Sequence, residues 1–173
     1  MSLALDLLKQ SRLLANHERK RPRQASLRRA VSSAYYALFH QLVDAASREL
    51  VTGKSGLVIR QRVARVFGHA DMKKFCQTLA NWDHNQPPKH LKELLQQPPT
   101  TDLRTLTSAF VELQQARHEA DYDISRRFSR DDVLTLIRTT ELAVAAFERM
   151  DRKGEERRLL LLGLVFNDRW QRN

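Results

Sequence analysis

Apolar residues recur along this chain at intervals of three and four, and no stretch alternates strictly between apolar and polar. That periodicity predicts helices throughout. Leu3, Leu5, Leu7, Leu8, Leu13 and Leu14 place a first helix up to about Arg19. Pro22 suits the first turn of the next helix, which runs from about Arg23 to Leu50 with Val31, Tyr35, Leu38 and Leu42 as its core stripe. Thr52-Gly53-Lys54-Ser55-Gly56 ends it. Val58 to Phe67 and Met72 to Trp82 read as short helices, and a helical turn from His90 to Leu95 lies between two proline breaks, Pro87-Pro88 and Pro98-Pro99. Thr101 is the expected N-cap of a long helix reaching about Asp121, with Leu103, Leu106, Phe110, Leu113 and Ala116 as its apolar stripe.

After a loop over Ile124 to Arg130, Ser129 and Asp132 form a capping-box pattern that opens another helix. Val133, Leu136, Ile137, Leu142, Val144 and Phe147 carry it to about Met150. Gly154 sets off a final basic and apolar segment ending at Trp170. The expected fold is all-α: an up-down helical bundle with short additional helices over residues 1–153, followed by a helical extension over residues 154–173.

Charge changes this picture more than composition does. Thirty Lys and Arg against 20 Asp and Glu give a formal net charge of +10, which favours polyanionic partners, nucleic acid first. Five glycines and five prolines are few, as a helical chain requires. A single cysteine, Cys76, excludes an internal disulfide and fits a reducing, cytoplasmic setting. The chain shows no basic-then-apolar leader, and its longest apolar run, Leu159 to Phe166, is too short to span a bilayer, so no membrane partner is expected.

Several familiar chemistries fail on spacing. Gly53-Lys54-Ser55 resembles the end of a phosphate loop, but the glycine required five positions before Gly53 is absent: position 48 is Arg48. Cys76, His84 and His90 match no tetrahedral zinc pattern, and no glycine-flanked serine suggests a nucleophile elbow. Neither a metal nor another cofactor is called for. Asp71, Asp83, Glu119, Asp121 and Asp123 are candidate carboxylates, with surface charges or caps as their ordinary roles.

Two segments place polar groups where amphipathic helix should turn inward. Arg29, Ser33, Tyr36 and His40 are spaced by four, three and four, on one helical stripe. Arg117, His118, Asp121 and Tyr122 occupy the last turns of the later helix. Buried polar groups must be paired, so the two segments form either a polar seam with ordinary core partners or a recognition site. Arg117 and Asp121 are placed for a same-helix ion pair. A guanidinium held this way can also grip a phosphate through parallel hydrogen bonds. His118 can move protons near neutral pH, and Tyr122 can stack on a base.

These residues resemble the HEPN (higher eukaryotes and prokaryotes nucleotide-binding) domain family. The early helix reads Arg29-Ala30-Val31-Ser32-Ser33-Ala34-Tyr35-Tyr36-Ala37-Leu38-Phe39-His40. The later one reads Arg117-His118-Glu119-Ala120-Asp121-Tyr122-Asp123, and Phe128-Ser129-Arg130-Asp131 opens the next. Order and spacing match the bacterial and archaeal branch over roughly residues 2 to 150.

The resemblance implies a helical bundle that dimerises, often as a metal-independent ribonuclease of toxin–antitoxin, defence or RNA-processing systems. Some members work beside a nucleotidyltransferase-type protein. Carried onto this chain, Arg117 takes the family's arginine position and His118 its polar position, while Tyr122 stands where the catalytic histidine would be. A histidine titrates near pH 6.5 and a tyrosine near about 10, so that exchange bears directly on proton transfer. His118 lies about 100° of helix round from Arg117.

Three functions follow as expectations. The first is RNA or nucleotide binding by Arg29, Ser33, Tyr36, His40, Arg117 and Asp121. The second is metal-independent RNA cleavage by Arg117, His118 and Tyr122. The third is a non-catalytic interaction or antitoxin-like subunit using the Leu159 to Phe166 run with Trp170. The basic stretch Arg19-Lys20-Arg21-Pro22-Arg23, continued by Arg28 and Arg29, is either a solvated turn or a phosphate-contacting patch.

Overall fold

The computed structural model describes residues 2–53, 56–83, 85–95 and 97–171. Among them the chain is all-α, a helical bundle without strands. Its helices are α1 (Leu3–Ala15), α2 (Gln24–Leu50), α3 (Leu57–Val63), α4 (His69–Ala80), α5 (Lys89–Lys92), α6 (Thr101–Tyr122), α7 (Arg130–Arg149) and α8 (Glu155–Trp170). No helix among the described residues is long and apolar enough to cross a membrane. Lys54, Ser55 and His84 lie outside the described residues.

Two compact units divide the chain, one drawn from residues 2–41 and 109–145, the other from the described parts of 42–108 and 146–171. In the first unit, Ala30, Val31, Ala34, Tyr35 and Leu38 of α2 are buried with Phe110 and Leu113 of α6 and Val133 and Ile137 of α7. The Tyr35 and Phe110 ring centroids stand 5.6 Å apart and tilted, a favourable aromatic arrangement. Ser11, fully buried on α1, donates its hydroxyl to the Ala30 carbonyl at 2.7 Å, so a polar group on a core face is satisfied at once.

The helix ends in this unit show which rules act locally and which do not. The Ser2 hydroxyl caps α1 by accepting from the Leu5 amide. That helix stops at Ala15, short of the Arg19 expected from its leucines. Arg130, from the start of α7, turns its guanidinium onto the carbonyls of Ala15, Glu18 and Arg19, and Asn16 donates back to the Arg12 carbonyl. Carbonyls held by a distant arginine no longer need the next helical turn. Pro22 falls before α2, not inside its first turn.

The capping box of α7 forms as its spacing requires: Ser129 N donates to Asp132 Oδ2 at 2.8 Å, and Asp132 N donates to Ser129 Oγ at 3.0 Å. Those bonds hold the Asp132 carboxyl below its ordinary range. Leu142, expected in the core, is 55% exposed.

In the second unit, Phe75, Cys76 and Leu79 of α4 and Leu103 and Leu106 of α6 are fully buried, and Leu159, Leu160, Leu161 and Leu164 of α8 are nearly so. Phe75 lies so close to Gly163 on α8 that any β-carbon there would overlap its ring. The leucines of α8 are thus packed within this unit and are not a free docking face. The cap of α6 shifts by one residue: Thr100, not Thr101, accepts from Leu103 N at 3.3 Å, and its own amide and hydroxyl bond Glu156 at 2.7 Å. Arg157 lies 3.8 Å above the Phe147 ring and donates to the Phe147 carbonyl at 2.6 Å.

Candidate functional site

In the first unit, the inward polar face of α2 repeats every four residues: Gln24, Arg28, Ser32, Tyr36 and His40. This is the ridge that helices commonly use when they pack side by side. Its first four members meet α6 and the loop after it in antiparallel order. The Gln24 side chain bonds both the amide and the carbonyl of Phe128, at 3.0 and 2.8 Å. Arg28 donates to the carbonyls of Ala120 and Asp123, each at 2.8 Å, and also to those of Glu119 and Arg126. The Ser32 hydroxyl donates to Asp121 Oδ1 at 2.7 Å. The Tyr36 hydroxyl accepts from Arg117 Nη2 at 3.0 Å.

The ladder corrects the sequence-based stripe in two places. Arg28, not Arg29, faces the seam; Arg29 is exposed. Ser32, not Ser33, engages Asp121, although Ser33 is also buried. The spacing 29, 33, 36, 40 and the spacing 28, 32, 36, 40 share their last two members, and periodicity alone does not choose between them. The partners of Ser32 and Arg28 lie about ninety residues downstream, which is the signal a single helix lacks.

Arg117 is the centre of the arrangement. Its Nε lies 2.7 Å from Asp121 Oδ2, an ion pair whose side chains are 15% and 24% exposed. The pair has the proximity of a salt bridge without hydrogen-bond alignment at Nε. Its Cζ is 5.6 Å from the Tyr36 ring centroid and 5.6 Å from that of Tyr122, so two phenol faces flank one cation. Burial works against the charge, but the hydrogen bond to Tyr36 and the nearby Asp121 and Tyr122 outweigh it and raise the guanidinium pKa. Arg117 is a fixed cation in a fixed plane.

Around that centre the exposure differs. His40 stacks on Tyr36 at 6.0 Å and 28°, and burial lowers its pKa. Tyr122 is 65% exposed, and the exposed His118 ring sits 5.1 Å from it. Although one residue turns the helix away, Arg117 and His118 therefore both lie near the Tyr122 ring, at 5.6 and 5.1 Å from its centroid. Ile124, just beyond, is 94% exposed on a loop that Asp123 braces by accepting from Ser125 and Arg126.

The basic turn before α2 splits into two roles. Arg28 is spent on main-chain carbonyls, whereas Arg19, Lys20, Arg21, Arg23 and Arg29 are exposed. Among the described residues no three His, Cys, Asp or Glu side chains converge as a metal site. Cys76 is buried with its thiol pKa pushed up, and His90 contacts Asn167 at 3.2 Å. No family model, curated protein or solved structure matches the chain.

Proposed function

We propose that this chain is a HEPN-like protein that binds RNA or a nucleotide through Arg117 and the aromatic groups around it, and that it acts as a homodimer in a defence, toxin–antitoxin or RNA-processing setting. One observation carries the reading. Arg117 is fixed between the Tyr36 and Tyr122 rings beside the exposed surface that Tyr122 and His118 share. A guanidinium held in one plane suits phosphate, because its N–H groups point in set directions before the ligand arrives. An exposed tyrosine at the same place offers a face for a base. The exposed cations at Arg19, Lys20, Arg21, Arg23 and Arg29 belong to the same unit and suit a phosphate backbone.

The test is binding of a fluorescent single-stranded RNA, with ATP as competitor. Arg117→Ala in a folded variant weakens RNA binding under this reading; equal affinity for variant and parent rejects it.

The approach of both His118 and Arg117 to the Tyr122 ring favours a second reading, metal-independent cleavage. Arg117 would steady the phosphate and His118 would move protons, with Tyr122 orienting both. Cleavage of mixed RNA in EDTA that disappears in both His118→Ala and Arg117→Ala supports it. RNA left intact by the parent protein removes cleavage and leaves binding.

A further inference from the structure

Between Glu49 and Asp71 the chain carries no acidic residue, but it does carry Lys54, Arg60, Arg62 and Arg65. This stretch contains α3, whose first turn exposes three successive apolar side chains: Leu57 at 58%, Val58 at 63% and Ile59 at 57%. Tight turn bonds, Arg65 N to the Arg62 carbonyl and Val66 N to the Val63 carbonyl, continue the helical path past Val63. Val66, 65% exposed, follows in that turn beside the exposed Arg65, and Val58 and Arg62 are four apart on α3 itself.

The arginines here are not equivalent. Arg60 folds back onto the carbonyls of Val51 and Gly53 at 3.3 and 3.0 Å. Arg62 and Arg65 are exposed and, among the described residues, form no ion pair. So much apolar surface beside two unspent cations is unlike a solvated helix face.

A surface of opposite character lies on the other unit. Between α6 and α7 is an open cavity of about 420 Å³, floored by Ala116, Phe128 and Leu136. Its lining carries four carboxylates and a single cation, Arg126. Two of the four are spent inside the unit, Asp132 on its helix cap and Glu119 on Arg126 at 3.4 Å. Glu112 and Asp131 are exposed and, among the described residues, form no ion pair. One surface thus offers apolar side chains and two free guanidinium groups; the other offers an apolar-floored hollow and two free carboxylates.

We propose that the α3 tip of one copy docks into the α6–α7 cavity of a second copy, with Val58 and Val66 over the apolar floor and Arg62 and Arg65 against Glu112 and Asp131. The occupant is a second copy because the matching surface is on the chain itself. RNA lacks an apolar complement for Val58 and Val66, whereas Ala116, Phe128 and Leu136 line the cavity. The contact joins two different patches, so it is head-to-tail and extends assembly past any pair formed by like surfaces meeting.

Charge exchange tests it, read as molar mass by light scattering over a concentration series, with circular dichroism to verify folding. The wild-type chain forms species larger than a dimer. Arg62→Glu with Arg65→Glu weakens that association at least ~10-fold, because like charges then face each other. Glu112→Lys with Asp131→Lys does the same. All four changes in one chain restore it. RNA binding by the arginine variant stays within about twofold of wild type, since α3 is outside the Arg117 cluster. A wild-type mass that the arginine variant leaves unchanged overturns the proposal, as does a four-change chain no more associated than either partial variant. Recovery of the wild-type chain on vesicles of anionic phospholipid, with no species above a dimer in solution, assigns the tip to a lipid surface and also overturns it.

Discussion

Arg28 and Arg117 both belong to the α2–α6 seam, and their partners set them apart. Arg28 gives its N–H groups to main-chain carbonyls at the end of α6 and in the loop beyond it. Carbonyl acceptors do not titrate or move away, so this arginine acts as a staple that fixes where α6 ends. Arg117 is held by side chains, the Tyr36 hydroxyl and the Asp121 carboxylate, and is flanked by a tyrosine that is 65% exposed. Side-chain partners hold a cation in place without closing off its surroundings. Two arginines on one interface thus differ in their partners: one bonds main-chain carbonyls, and the other bonds side chains beside an exposed tyrosine.

Substitutions should separate these roles, and the largest effect is expected at the staple. Arg28→Ala strips several carbonyls of their donor, and we expect a loss of about 2 kcal/mol in urea unfolding, with faster proteolysis within 123–127. The same change at Arg117 should be milder in unfolding, about 1 kcal/mol, and severe in RNA binding, ~10-fold or more. Equal unfolding losses would erase the distinction.

Next comes Tyr122→Ala. An exposed ring contributes little to folding, so stability should stay within about 0.5 kcal/mol, while loss of a stacking face costs roughly 1–3 kcal/mol of RNA affinity. Ser32→Ala sharpens the contrast, because it leaves Arg117 in place and removes a hydrogen bond from its counter-ion; about 1 kcal/mol of stability is expected to go.

The smallest effect is with pH. Burial lowers the His40 pKa from its ordinary 6.5, so the neutral ring is favoured in the folded state. Its contribution is full above 6.5 and is lost as pH falls through the lower folded value. Melting temperature should therefore decline in the parent as pH falls from 6.5 toward that lower value, and decline less in His40→Phe.

How much of this was legible in the sequence depended on distance along the chain. Ser129 and Asp132 are three residues apart, and the capping box they suggest is present as read. The apolar stripe from Leu103 to Leu113 is buried as its spacing requires. Arg117 and Asp121 pair as neighbours on one helix must. What was missed has remote partners. Nothing near Arg19 shows that Arg130 will take the carbonyls past Ala15, and nothing near Ser32 distinguishes it from Ser33 until Asp121 is in place. Leu142 fits a helical stripe by count and still faces solvent, because a stripe predicts direction and not whether a neighbour covers it.

The tight approach of Phe75 to Gly163 also has a use in comparing sequences. Where a related chain carries alanine or serine at the position of Gly163, the partner at Phe75 should have shrunk as well, to leucine or smaller. The two positions, more than eighty residues apart, should change together, one in each of two helices. Such a linked pair would anchor an alignment of distant relatives even after the charged residues of the seam had diverged.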